Sequence, residues 1–301
     1  MGVETAIKPR DAAWNDGMGK ELSGHACRLL RPEIESRIMQ GTMDIVWLKV
    51  PAWEKREGLV HGFLGRKGGR SRGGFAGLNL SVTVGDDIQT VKDNLCDVKK
   101  AVGVHELRVV TMTQRHGDRI IDVRDKRTKN AGDADGMATE ESETFLGVLT
   151  ADCVPILFSI PGRRLAAVVH AGWRGTLAGL PGRMVDHLGD RYRVDREEVE
   201  IALGPAIGPC CYEIRDDVSA PLLAQWGDLA EGSLRQKDGH RFLDLRGLIA
   251  LLLKKAGVSS ERIFLLGPCT ACAADDFFSY RRDYKDGNSE TGRQLSFIGW
   301  L

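Results

Sequence analysis

The stretch Leu146–Thr176, LGVLTADCVPILFSIPGRRLAAVVHAGWRGT, constrains the fold of this chain more than any other. Val154–Ser159 is a short apolar run rich in strand formers, and Leu165–Val169 is its return run. Pro161-Gly162 between them is a turn signal. A tight hairpin centred on that dipeptide sets Cys153 opposite His170 on one face, with Cβ atoms about 4.5–5.5 Å apart. This separation suits two ligands of one tetrahedral metal with N and S donors. Pro-Gly prefers a type II turn, which is not the favoured hairpin turn, so the register is open to slippage. The plain alternative is a buried hairpin carrying an incidental cysteine and histidine, because cysteine is often just a small core residue.

Composition narrows the function classes. Lys+Arg and Asp+Glu both number 42 in 301 residues, which argues against a general polyanion binder but not against a local phosphate site. No apolar run approaches the ~18 residues of a membrane helix, and the N-terminus has no apolar signal core. The cysteines number 7, an odd count at irregular spacing. Reduced thiols in a cytoplasm are therefore expected rather than a disulfide framework.

Residues 1–42 mix charge with Gly and Pro around one weakly helical patch, Glu21–Leu30, and read as a flexible extension. Residues 43–301 have no linker and read as a single catalytic domain. Strands are expected at Asp44–Val50, Leu59–Leu64, Arg108–Met112, Ile120–Val123, Val199–Leu203 and Ile263–Leu266. Asp86-Asp87 should cap a helix over Ile88–Val102, where Val91, Leu95, Val98 and Val102 recur at helical spacing. Pro181-Gly182 should break or restart the helix after Gly172. Further helices are expected over Val218–Trp226 and from Leu245 to Ala256, stopped by Gly257. The polar, acidic segment 124–144 reads as a loop, with Ala134-Asp135-Gly136 near the site.

His116, Cys153 and His170 each flank an expected strand. One Cys and two His form a three-ligand zinc set that leaves a fourth position open. A Cys153–His170 nucleophile and base pair is the competing reading. The basic, glycine-rich loop Arg66–Phe75 offers anion-binding backbone and guanidinium forks, or is simply solvated. Cys269-x-x-Cys272 is a redox or half-zinc motif without a second C-x-x-C, and adjacent Cys210-Cys211 reads as a poor partner for it. No P-loop, GxGxxG or GxSxG motif is present.

LTADCVPIL, HAGWRGT, GPAIGPCCYEI, the ordered HGF…LNL…VGDD string and FFSYRRD…TGRQLSFI together resemble the laccase-domain family. That family is also called polyphenol oxidase or peptidoglycan editing factor, and is now read as purine nucleoside phosphorylase. The resemblance covers roughly residues 45–301. It implies an α+β fold, a layered α/β/β/α sandwich with mixed sheets. It also implies a zinc-dependent enzyme acting on adenosine, inosine, guanosine and methylthioadenosine with phosphate, with accompanying adenosine deaminase activity. The family's metal ligands fall on His116, Cys153 and His170. Arg115 stands where the family usually has Val, and Ser81 where Gly is common.

From this resemblance, Arg66 is the first candidate for phosphate and Arg174 the second, with Asn79 and Gln114 for ribose or base. Asp152 is expected to orient a ligand, or else to cap the turn, and Trp173 to pack rather than stack on a base. The partners expected are a purine nucleoside and phosphate, with no nucleic acid and no membrane, for a cytoplasmic monomer or small homo-oligomer. Two other functions stand against the phosphorylase. One is a copper-dependent polyphenol oxidase, although copper oxidases usually need more histidines. The other is a non-catalytic cell-wall editing factor.

Overall fold

The computed structural model describes residues 37–40, 43–104, 108–125, 127–287 and 290–301. The expected helical patch Glu21–Leu30 lies outside them. Arg37–Gln40 is a strand antiparallel to Met43–Leu48, so the first sheet begins upstream of Met43.

Two mixed sheets lie face to face. The first has seven strands in the spatial order Arg37–Gln40, Met43–Leu48, Leu59–Leu64, Gln294–Trp300, Thr144–Thr150, Arg108–Thr113 and Asn130–Asp133. The second has six, in the order Ile263–Leu265, Glu200–Leu203, Val154–Ser159, Ala166–Ala171, Gly136–Thr139 and Ile120–Asp122. Val154–Ser159 and Ala166–Ala171 are buried at every residue. Both faces of a sheet are then covered, which is why these runs read as continuously apolar rather than alternating.

Three cores separate four layers. Leu157, Ala166, Val168 and Ala202 meet Phe63, Leu146, Val148 and Ile298 between the sheets. Ile156, Phe158, Ala167 and Val169 face the opposite way, onto Met184, Val185, Leu248 and Leu252 of the helices Leu180–Tyr192 and Leu245–Lys255. Trp47, Phe145 and Phe297 pack on Val98 and Ala101 of the helix Ile88–Val102. The order is α/β/β/α, as the resemblance implied. The Asp87 side chain accepts the Thr90 N–H at 2.7 Å and fixes the start of Ile88–Val102. Pro181 restarts a helix at Leu180 after the short helix Trp173–Leu177. Among the described residues, no helix is long and apolar enough to cross a membrane.

Two expectations are corrected, and one sheet is added to the elements expected. Segment 124–144 is not a plain loop, because Asn130–Asp133 and Gly136–Thr139 are strands. A third sheet joins Glu213–Ile214, His240–Leu243 and Leu234–Lys237, with Asp238-Gly239 at positive φ in its two-residue turn. The central hairpin is shifted by two residues, so that His170 lies opposite Pro155 rather than Cys153. Its turn is the cause. Arg163 N donates to Ile160 O at 3.2 Å around Pro161 and Gly162, the latter at φ +75°. That is a type II turn inside a longer connection, not a tight hairpin loop. A shift of two keeps every side chain on its face. Cys153 and His170 therefore remain on one side as diagonal neighbours.

Candidate metal centre

His170 is the penultimate residue of the buried strand Ala166–Ala171 and shares the inter-sheet face with Ala166 and Val168. Cys153 immediately precedes Val154–Ser159 on the adjacent strand. His116 arrives from the other sheet, three residues beyond Arg108–Thr113, in a left-handed backbone conformation at φ +59°. The donor atoms of His116, Cys153 and His170 all lie within 4.8 Å of one another. The two imidazoles meet edge to face, with centroids 4.8 Å apart.

Asp135 ties these segments together. Its Oδ1 lies 2.8 Å from His170 Nδ1 and accepts the His116 N–H at 3.0 Å. Its Oδ2 accepts the Arg115 and Gly117 N–H groups at 3.1 and 2.8 Å. Burial works against the Asp135 charge, but these bonds, led by His170, hold its carboxyl below the usual range. An ionised carboxylate only accepts, so His170 Nδ1 carries the proton and Nε2 offers its lone pair to the centre. Sequence reasoning placed Asp135 near the site without giving it this role, because its partners are 18 to 35 residues away.

Burial alone would push the Cys153 thiol up, yet His170 and His116 outweigh it and hold the thiol at about 6. Burial would lower His170, but the Cys153 charge and the Asp135 bond raise it to about 9. Without a metal the pair is a thiolate beside an imidazolium. Gly172 completes the cradle. A Cβ there would stand 3.1 Å from Cys153 Sγ and 3.2 Å from His116 Cδ2. One thiolate and two imidazoles gathered this closely form a donor set able to hold one metal ion.

The other expected site residues are distributed differently. Asp152 does not contact a donor. Its carboxylate accepts the Thr270 hydroxyl at 2.6 Å and the Arg281 N–H at 2.7 Å, and burial pushes it up. Asp135, rather than Asp152, is the carboxylate that touches His170. Asn79 is fully buried, and its amide is used up by Ser81, Asp86 and Arg293. Gln114 grips the Leu149 backbone through both amide atoms, at 2.8 and 2.9 Å. Arg66 donates to the Ala76 and Ala274 carbonyls and stacks on Phe278. These three side chains organise backbone. Arg115 turns to Asp133 at 3.0 Å, so the departure from the family pattern carries no charge onto the donors.

Arg174 is exposed and lies over the Trp173 ring at 4.3 Å, and its guanidinium has no carboxylate or carbonyl partner among the described residues. Trp173 packs against the helix-side core, as expected. It also borders a cleft of ≈ 450 Å³ with Tyr212, Tyr280, Arg281 and Tyr284. Tyr212 lies close enough to Cys153 that its charge, after burial, helps to raise the phenol. Tyr212, Tyr280 and Arg281 were not singled out from sequence. They do lie in the GPAIGPCCYEI and FFSYRRD motifs, the signal that could have found them.

A family model described as multi-copper polyphenol oxidoreductase laccase matches residues 60–301. The chain is 37% identical over 251 residues to purine nucleoside phosphorylase YlmD of Geobacillus stearothermophilus, covering 80% of this chain and 90% of that protein. It is 34% identical over 244 residues to a purine nucleoside phosphorylase of Deinococcus radiodurans, covering 80% and 89%. The crystal structure of G. stearothermophilus YlmD superposes with a TM-score of 0.78 at 34% identity, over 88% of this chain and 98% of that one. A Bacillus licheniformis hypothetical protein, YfiH, gives the same TM-score at 31% identity, over 86% and 96%.

Proposed function

We propose that this chain, which belongs to the multi-copper polyphenol oxidoreductase laccase family, is a zinc-dependent purine nucleoside phosphorylase. The observation that carries the reading is the pairing of the His116–Cys153–His170 donor set with a neighbouring cleft. The names of the relatives in Geobacillus and Deinococcus support the substrate class. His116, Cys153 and His170 would hold the ion, which supplies Lewis-acid polarisation when bound.

The chain's own groups do the rest. Phosphorolysis needs an anion held against the ribose C1′ and a bond to the purine weakened as it leaves. Arg174 presents an uncommitted fork for the phosphate. We place it ahead of Arg66, which already donates to two backbone carbonyls. Tyr284, 57% exposed and packed on the Tyr280 ring with centroids 4.6 Å apart, offers its outer face to a purine. Asp135 keeps His170 in one tautomer throughout. Adenosine deamination is proposed as an accompanying activity of the same centre.

A multi-copper oxidase reading has less support from the donors. His61 accepts the Val50 N–H, His187 bonds Asp122, and His240 bonds Glu213. Among the described residues only His116 and His170 share a cluster of possible ligands, too few for several copper ions. The test is to incubate the zinc-loaded protein with inosine and phosphate and assay ribose 1-phosphate. The expected result is product from wild type and none above background from Cys153→Ala. Equal inactivity of both proteins would overturn the reading.

A further inference from the structure

We propose that Cys210, Cys211, Cys269 and Cys272 bind a single zinc ion in a closed, all-sulphur site separate from the His116–Cys153–His170 centre. Their four sulphurs all lie within 4.8 Å of one another. Cys272 Sγ is 3.5 Å from Cys210 Sγ and 3.3 Å from Cys211 Sγ. A tetrahedron with Zn–S bonds of ~2.3 Å has sulphur–sulphur edges of about 3.8 Å, so a small adjustment of this set encloses one ion. Iron–sulphur clusters interpose iron and sulphide between their thiolates and need a wider set. A disulfide joins two sulphurs, whereas Cys272 stands almost equally close to two partners, and none of the four is in a disulfide.

The fold builds this site from two loops. Glu200–Leu203 and Ile263–Leu265 are adjacent parallel strands, and both release their chains at the same end of the sheet. Ala206 and Cys269 then form an isolated parallel bridge that aligns the two loops. Sequence reasoning discounted neighbouring Cys210 and Cys211 as co-ligands. In the turn after Gly208, however, Cys211 N and Tyr212 N both donate to Gly208 O, and the two thiols converge on Cys272. Gly208 N donates to Cys269 Sγ at 3.1 Å, a contact that favours a thiolate there. A Cβ at Gly208 would lie 3.2 Å from Cys269 Cβ and 3.3 Å from Cys210 Sγ, so only glycine leaves the sulphurs their room. Cys269 is buried, Cys211 half-buried, and Cys210 and Cys272 exposed, which gives an ion a route in from solvent.

Four protein ligands leave no open position, the mark of a structural zinc site. The ion would clamp the loop carrying Tyr212 to the loop carrying Thr270. Thr270 holds Asp152, the neighbour of Cys153. The clamp therefore braces the wall of the candidate active site without contacting substrate.

The test is metal analysis of the full chain expressed with added zinc. The expected result is two zinc per chain in wild type and about one in each of Cys153→Ala and Cys272→Ser. Cobalt-loaded Cys153→Ala should give the intense charge-transfer bands of tetrahedral thiolate coordination. A Cys153→Ala protein that folds but holds no metal would overturn the proposal. So would peptide mapping without reductant that finds these cysteines joined in a disulfide. Both readouts use proteins with all four cysteines intact, so they decide the matter even if Cys272→Ser fails to fold.

Discussion

His170 Nδ1 lies 2.8 Å from Asp135 Oδ1, and the same oxygen accepts the backbone N–H of His116. One buried carboxylate thus fixes the ring of one donor and the backbone of another. Asp135→Asn removes the charge and offers an amide whose N–H groups cannot accept. Metal affinity should fall by about 10–100-fold. Competition with a chelator of known affinity measures this, and an unchanged affinity would mean that Asp135 only supports the fold.

Gly172→Ala tests the tightness of the cradle. Gly172 sits at φ −82°, so alanine meets no backbone penalty there. The added methyl stands 3.1 Å from Cys153 Sγ and 3.2 Å from His116 Cδ2, and both must give way. Zinc affinity should drop on the order of tenfold, with a loss of stability of about 1–3 kcal/mol. Titration calorimetry and urea unfolding separate the two effects.

The metal-free pair should show itself in thiol chemistry more than in stability. Cys153, held at about 6, contributes stability that is full above the ordinary thiol value and lost as pH falls towards 6. His170, raised to about 9, contributes stability that is full below the ordinary imidazole value and lost as pH rises through 9. Between those limits the slopes oppose and nearly cancel. Alkylation of Cys153 in zinc-stripped protein should instead rise with a midpoint near pH 6, and Asp135→Asn should move that midpoint up. Peptide mapping after iodoacetamide gives the profile; a midpoint at the ordinary thiol value would rule out the ion pair.

Asp152→Ala should destabilise the fold by about 1–3 kcal/mol, because it strands the Thr270 hydroxyl and the Arg281 N–H. Arg174→Ala should raise KM for phosphate by about 10–100-fold with a smaller effect on kcat. Steady-state kinetics at varied phosphate checks the second expectation, and an unmoved KM would return the anion role to another residue.

Local signals carried most of the fold, while the grouping of His116 with Cys153 and His170 came with the family resemblance. The Asp87 cap, Pro181 and the apolar runs act within a few residues, so their elements stand where the sequence placed them. The hairpin kept its strands but not its register, since a type II turn is poorly matched to a two-residue hairpin loop. Asn130–Asp133 gave no strand signal because it is a mostly exposed edge strand. Asp135 touches His170 where Asp152 was expected to orient a ligand, for a related reason. Each is defined by partners far along the chain, and nothing next to either residue says which donor it faces.

The most direct measurement is an anomalous difference map from crystals of zinc-loaded protein, collected on both sides of the zinc edge. The account predicts a peak among His116, Cys153 and His170, about 2.0–2.1 Å from His170 Nε2 and about 2.3 Å from Cys153 Sγ. Full zinc occupancy elsewhere with no peak at these three residues would contradict it.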